Sequence, residues 1–205
     1  MAHLWAHQSQ SEARTPSSNF YFRGKSIYSY GRHFEIARIL EEKVVIMTNR
    51  SYSNTTSKHI HYVRMAIPYD VKVISVPYVH GKKGVDGWYF ASETPKNIEH
   101  FAATVKELAE KQKKARKIDY TKEIVKTLTA FKEYVEYFSL KKEVPKYYKF
   151  MLEYNSEGDI AEFMREQFGV VADKKLKERK AKEKKLKKEQ EQNIVTGKQI
   201  GRAHV

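Results

Sequence analysis

The spacing of hydrophobic positions changes period along this chain, and each change marks an element. Up to about residue 50 the rhythm is two residues, the spacing of strands. "NFYF" (19–22) and "SIYSY" (26–30) are aromatic and β-branched runs separated by the turn "RGK", a hairpin signal. "HFEIARIL" alternates Phe34, Ile36 and Arg38 against Ala37 and Ile39. "KVVIMTN" follows the charged turn "EEK" and reads as a strand buried on both faces. Over residues 55–67 the rhythm turns helical: at 100° per residue, Ile60, Val63, Ala66 and Ile67 share one arc, while Lys58, His61, Tyr62 and Met65 face away. Asn54 or Thr55 is the expected cap. "VKVISVP" is a further strand, closed by Pro77.

From Pro95 onward the step is three and four. Ile98, Phe101, Val105 and Leu108 form one stripe; Ile124, Leu128, Phe131, Val135 and Phe138 form another after a break at "KIDY". Stripes this narrow need cover, and the short link predicts an antiparallel helical hairpin over about 97–138, in which each helix covers the other or the pair packs on the sheet; the same segment is the candidate for self-association. A short helix is predicted at about 157–168. The fold class is therefore α+β. Residues 1–92 form a small, mainly antiparallel sheet with one packed helix, 93–170 are helical, and 171–192 are a charged helical tail. That tail holds only Leu176 and Leu186 as large apolar residues, so its coiled-coil-like composition has no face to bury. It reads either as a solvated helix or as a basic arm on phosphates.

Charge sharpens this picture. Lys and Arg number 39 against 25 Asp and Glu, a net charge of +14. Residues 1–92 carry +6 (12 against 6), 93–170 carry +1 (15 against 14), and 171–192 carry +5 (10 against 5). Basic ends around a balanced middle point to an anionic partner, nucleic acid first, with solubility as the plainer reading. The chain has no cysteine, which excludes a disulfide framework and a thiolate zinc site and fits a reducing cytoplasm. "MAHLWAHQSQ" lacks the apolar run of a signal peptide, and no window approaches ~18 apolar residues, so no membrane span is expected. "HGKKGVDG" spaces its glycines like a phosphate loop but lacks the lysine-serine pair, and reads as a plain loop. "IGRAHV" matches a translated sequencing adapter, which makes 193–205 the expected non-native end of a metagenomic reading frame.

Two groups of residues carry candidate chemistry. Thr56 and His59 fall inside the apolar arc of the helix, and a buried histidine needs partners; Ser29, His33, Ser51 and Ser53 precede it. In one reading Ser29, Thr56 and His59 form a buried polar network that docks the helix. In the other, His33 and His59 line a pocket as acid and base of a histidine-dependent nuclease or phosphoesterase. "HIH" suggests no metal, since residues two apart on a helix point in different directions, and no cofactor motif is present. The second group is the aromatic run, in which Tyr28 and Tyr30 are expected to share one strand face opposite Ile27 and Ser29. With Arg23, Lys25 and Arg32, and Lys58 and Arg64 on the helix, it offers base stacking and phosphate contacts. The competing reading is that aromatics favour strands and one face is core.

The blocks "LWAHQSQ", "NFYFRGKSIYSYGRHFEIA" and "SYSNTTSKHIHYVRMA", in that order, resemble a family of short, uncharacterised tailed-phage proteins abundant in viral metagenomes. The resemblance covers roughly residues 3–80. It implies a phage-related source, hence the host-cell cytoplasm, and brings no established activity. The function expected from the residues is non-enzymatic, nucleic-acid-associated binding. The rivals are the histidine-dependent enzyme and a structural protein assembling through 97–138.

Overall fold

The two-residue rhythm becomes a single six-stranded sheet. The computed structural model describes residues 1–82, 87–115 and 118–153, with 159 and 184 as isolated positions. Strands β1 (Glu12–Arg14), β2 (Phe20–Arg23), β3 (Ser26–Ser29), β4 (Glu35–Glu41), β5 (Val44–Thr48) and β6 (Lys72–Val76) lie in sequence order. The first five pair antiparallel; β6 pairs parallel with β5. A parallel neighbour needs a crossover, and the helix Asn54–Ala66 supplies it. We label this helix α2, after the short α1 (Ala2–Ala6). The fold is α+β.

Pairing of Phe20 with Ser29 and of Phe22 with Ile27 sends these four side chains to one face, and all are buried. There they join Val45 and Met47 from the sheet, Trp5 from α1, and Val63 and Ala66 from α2. Trp5 is fully enclosed and donates from Nε1 to the Lys25 carbonyl at 2.9 Å, which ties the N-terminal helix to the β2–β3 turn. Ser53, rather than Asn54 or Thr55, caps α2: its hydroxyl accepts from the Thr56 backbone N–H at 3.2 Å. Residues Val45 to Thr48 of β5 are buried in succession, the signature of a strand covered on both faces.

The opposite face carries Tyr21, Arg23, Ser26 and Tyr28, continued by Arg38 opposite both Ser26 and Ile46, and by Ile74 opposite Ile46. Simple alternation in β4 is interrupted. Ile27 pairs with Ala37 but Tyr28 pairs with Glu35, so Ile36 is an extra residue, a bulge. Ile36 and Ala37 are consequently both core residues, correcting the expected grouping of Ile36 with Arg38. The bulge also brings Glu35 and Arg38 to the same face, where a regular strand would separate them.

Two longer helices follow, α3 (Gly87–Lys114) and α4 (Thr121–Tyr137), and then a 3₁₀ turn, Lys146–Leu152. α3 starts eight residues before Pro95, takes in "WYFAS", and runs through position 92. The chain divides into two compact units, Met1–Val105 with Lys126–Glu153, and Lys106–Val125 with Tyr154–Val205. Within the first, Phe101 of α3 meets Phe131 and Tyr134 of α4, at ring-centroid distances of 5.6 and 5.7 Å. Within the second, Gln112 Oε1 accepts from the Tyr120 backbone N–H at 2.7 Å. No described helix is long and apolar enough to cross a membrane. The helix expected at 157–168, the tail and the 193–205 end lie outside the described residues, positions 159 and 184 apart.

Candidate functional site

The open part of the second sheet face holds a cleft of about 780 Å³, within the range of small-ligand sites. Its lining crosses the sheet from Arg23 on β2, through Tyr28 on β3 and Glu35 and Arg38 on β4, to Thr48 on β5 and Pro77 and Tyr78 after β6. From β2 to β6 is four strand spacings, roughly 19 Å at ~4.8 Å each. Arg32, His33, Arg50, Tyr52 and Glu93 complete the wall. Arg23 and Arg32 also border a neighbouring hollow of about 500 Å³ with Arg14 and Tyr21, so the basic track continues toward β1.

Three of these cationic groups have their own support; Arg23 Nε lies 3.4 Å from Glu12 Oε2, an exposed pair. Arg38 donates from Nε and Nη2 to the two Glu35 carboxylate oxygens at 2.7 and 2.8 Å, the two-pronged contact that the bulge makes reachable. Arg50 lies with its guanidinium carbon 4.9 Å from the Tyr52 ring centre and 4.4 Å from that of Tyr78, held by cation–π contacts. Its backbone N–H donates to Thr48 Oγ1, and that buried hydroxyl donates to the Pro77 carbonyl at 3.0 Å, which locks the ends of β5 and β6 together. Tyr52 in turn meets Phe34 edge-on at 5.0 Å. Among the described residues Arg32 and Arg50 form no ion pair. Gly31 gives His33 its place: a Cβ there would stand 2.7 Å from His33 Nδ1.

Aromatic surface lies between the charges. Tyr21 and Tyr28 stack across the β2–β3 pair at 5.2 Å and 22°. Burial first, and the Glu35 charge second, hold the Tyr28 phenol above its usual range, so it stays a neutral donor.

The residues singled out from sequence separate into two places. Arg23, Tyr28, Arg32 and His33 line the cleft. Lys58 and Arg64 stand exposed on the outer side of α2, and Lys25 is exposed in the β2–β3 turn. Tyr30 does not share the face of Tyr28. It ends the strand in the left-handed region, at φ 61°, and its ring approaches His59 at 6.1 Å. His59 is buried under α2, stacked on Phe20 at 4.4 Å, with Nδ1 2.8 Å from Ser29 Oγ. Burial lowers its pKa, favouring the neutral ring. Thr56, one turn earlier, is hydrogen-bonded to Ser53 at 3.0 Å rather than to His59. His33 and His59 thus belong to different environments and do not converge on one cavity.

Arg50, Tyr52, Tyr78 and Glu93 were not anticipated. The first three follow the C-terminal ends of two adjacent parallel strands, where open sheets commonly bind ligands, and that is the signal by which they could have been found. Among the described residues no cluster of three His, Asp or Glu is placed to hold a metal ion. Comparison with family models, with curated proteins and with solved structures finds no match to this chain.

Proposed function

We propose that this protein binds single-stranded nucleic acid across the open part of its sheet, as a non-enzymatic accessory protein. The observation that carries the reading is the gathering of Arg23, Arg32 and Arg50 with Tyr28, Tyr52 and Tyr78 around one cleft. Arg32 and Arg50, which form no ion pair among the described residues, suit phosphate oxygens, as does Arg23, whose exposed pair with Glu12 at 3.4 Å is weak; tyrosine faces suit bases, with stacking worth ~1–3 kcal/mol per base. Arg50, already oriented by two rings, loses little freedom on meeting a phosphate. A recessed sheet face favours a single strand, because duplex readout calls for a helix or ribbon that projects into a groove. The basic stretch 171–192 adds a sequence-blind electrostatic attraction.

The test is a fluorescence-anisotropy titration of the full chain with labelled single strands and the matching duplex at several salt concentrations. Binding should favour the single strand, and log affinity should fall with log salt by ~0.7 per phosphate neutralised. No binding at low salt would remove the reading and leave the charge as a matter of solubility.

A further inference from the structure

Resting on the nucleic-acid reading of the cleft, we infer that Glu93 makes it selective for bases that carry an exocyclic amine. Glu93, on α3, lines the same cleft as Tyr78 and Arg50. Its Oε1 is engaged, accepting from Ser92 Oγ at 3.2 Å and from Lys96 Nζ at 3.0 Å. Its Oε2 is shielded from solvent and accepts from no group among the described residues. An acceptor withdrawn from water without a donor is unfavourable, and an arriving N–H relieves it. A phosphate cannot be that donor: it presents acceptors, and the carboxylate repels it. Phosphates therefore belong on the arginines of the cleft, Arg23, Arg32 and Arg50, and the donor edge of a base belongs at Glu93.

Tyr78 gives this end of the cleft a fixed wall. Its backbone N–H donates to Asn97 Oδ1 at 3.0 Å and its carbonyl accepts from Asn97 Nδ2 at 2.8 Å, which ties it to the helix that carries Glu93. A base lying against that wall would meet Oε2 with its edge once the Glu93 side chain, itself partly exposed, turns that atom out of its cover. Cytosine, adenine and guanine offer an exocyclic amine, and pairing of a carboxylate with the cytosine N4 amine is an established mode of readout. Thymine and uracil present a carbonyl at the equivalent position, and their one ring N–H lies between two carbonyl oxygens, so the carboxylate meets like charge.

The experiment uses the full chain with end-labelled oligo-dC and oligo-dU of about 12 nucleotides, a length within the site sizes of single-strand binders. The two differ in the amine or carbonyl at C4 and in the accompanying N3 acceptor or N3–H. Slightly alkaline buffer keeps cytosine unprotonated. The parent protein should bind oligo-dC at least about fivefold more tightly, the lower end of what one such contact discriminates. Glu93→Gln, whose amide both donates and accepts, should bind the two alike, chiefly by gaining affinity for oligo-dU. Equal affinity of the parent for both, or an unchanged preference in Glu93→Gln, overturns the inference while the cleft reading stands. Failure of the parent to bind either oligonucleotide overturns the cleft reading itself. The parent comparison needs no variant to fold.

Discussion

The Tyr134 hydroxyl lies 2.7 Å from His80 Nε2, and the direction of that bond is decided on the far side of the ring. His80 Nδ1 stands 2.8 Å from the Gly81 carbonyl, which can only accept. Nδ1 therefore carries the hydrogen, and Nε2 accepts from the tyrosine. Burial pushes the Tyr134 phenol up to about 12, so it keeps its proton, and its oxygen accepts from Asn97 Nδ2 at 3.3 Å. Tyr134→Phe leaves both partners short inside the core. We expect a loss of about 1–3 kcal/mol, read as a lower urea midpoint at unchanged slope. An unmoved midpoint would show that the network contributes nothing.

The same histidine predicts a pH dependence. Burial holds His80 below its usual value of 6.5, with the Arg38 charge adding to this and the Gly81 hydrogen bond opposing it. Burial also lowers His59 and His100. Above pH 6.5 both folded and unfolded histidines are neutral. Below it the unfolded chain takes up protons that the folded one refuses, so stability is full above about 6.5 and declines as pH falls toward the lowered values. The exposed carboxylates Glu41, Asp70 and Glu107, paired with Lys82, Lys43 and Lys111, also have lowered values but act in a more acidic window, below their ordinary values of 4.5, 3.8 and 4.5. Urea midpoints collected between pH 8 and pH 5 should slope downward on the acid side. A flat profile would contradict neutral burial of these rings.

Ser29 and His59 should be energetically coupled. Either alanine variant alone is expected to cost about 1–3 kcal/mol, since each orphans the other's polar atom. The double variant should cost less than the sum by ~0.5 kcal/mol or more. Strict additivity would mean that the 2.8 Å contact carries no energy.

Trp5 closes the face opposite the cleft. Trp5→Ala empties a fully buried site and frees the Lys25 carbonyl, with an expected cost of about 3–5 kcal/mol by chemical denaturation. A negligible change would make the N-terminal helix dispensable.

Location, not charge alone, should govern nucleic-acid binding. Arg32→Ala and Arg50→Ala are each expected to reduce the salt slope by ~0.7. Lys58→Ala and Arg64→Ala, on the outer side of α2, remove equal charge and should leave the slope nearly intact. Likewise Tyr28→Ala should weaken single-strand binding and Tyr30→Ala should not. Equal effects from both sets, in salt titrations, would place the interface elsewhere.

Much of the fold was legible because burial on one face imposes a period. Ile98, Phe101 and Val105, and the five stripe residues from Ile124 to Phe138, are all buried, and Leu108 is only half-buried beside the enclosed Ala109. His59 was legible as a polar residue within an apolar arc. The start of α3 was not: an aromatic run resembles a strand, and Pro95 sits well at a first helical turn, so the true start at Gly87 was masked.

Local alternation by itself determined β2 to β6, the helix after β5 and the burial of His59, because strand and helix periods are properties of neighbouring residues; the three-residue β1 is too short to show a period. Tertiary structure decided the cleft. One extra residue at Ile36 put Glu35 and Arg38 on the same face, and one left-handed residue at Tyr30 turned that ring away from Tyr28. Strand order and the crossover brought Arg50 and Tyr78, and α3 brought Glu93, to a wall shared with Arg23. Those residues are distant along the chain, and no period connects them. Their meeting depends on where backbone hydrogen bonds set the register, which only the folded chain specifies.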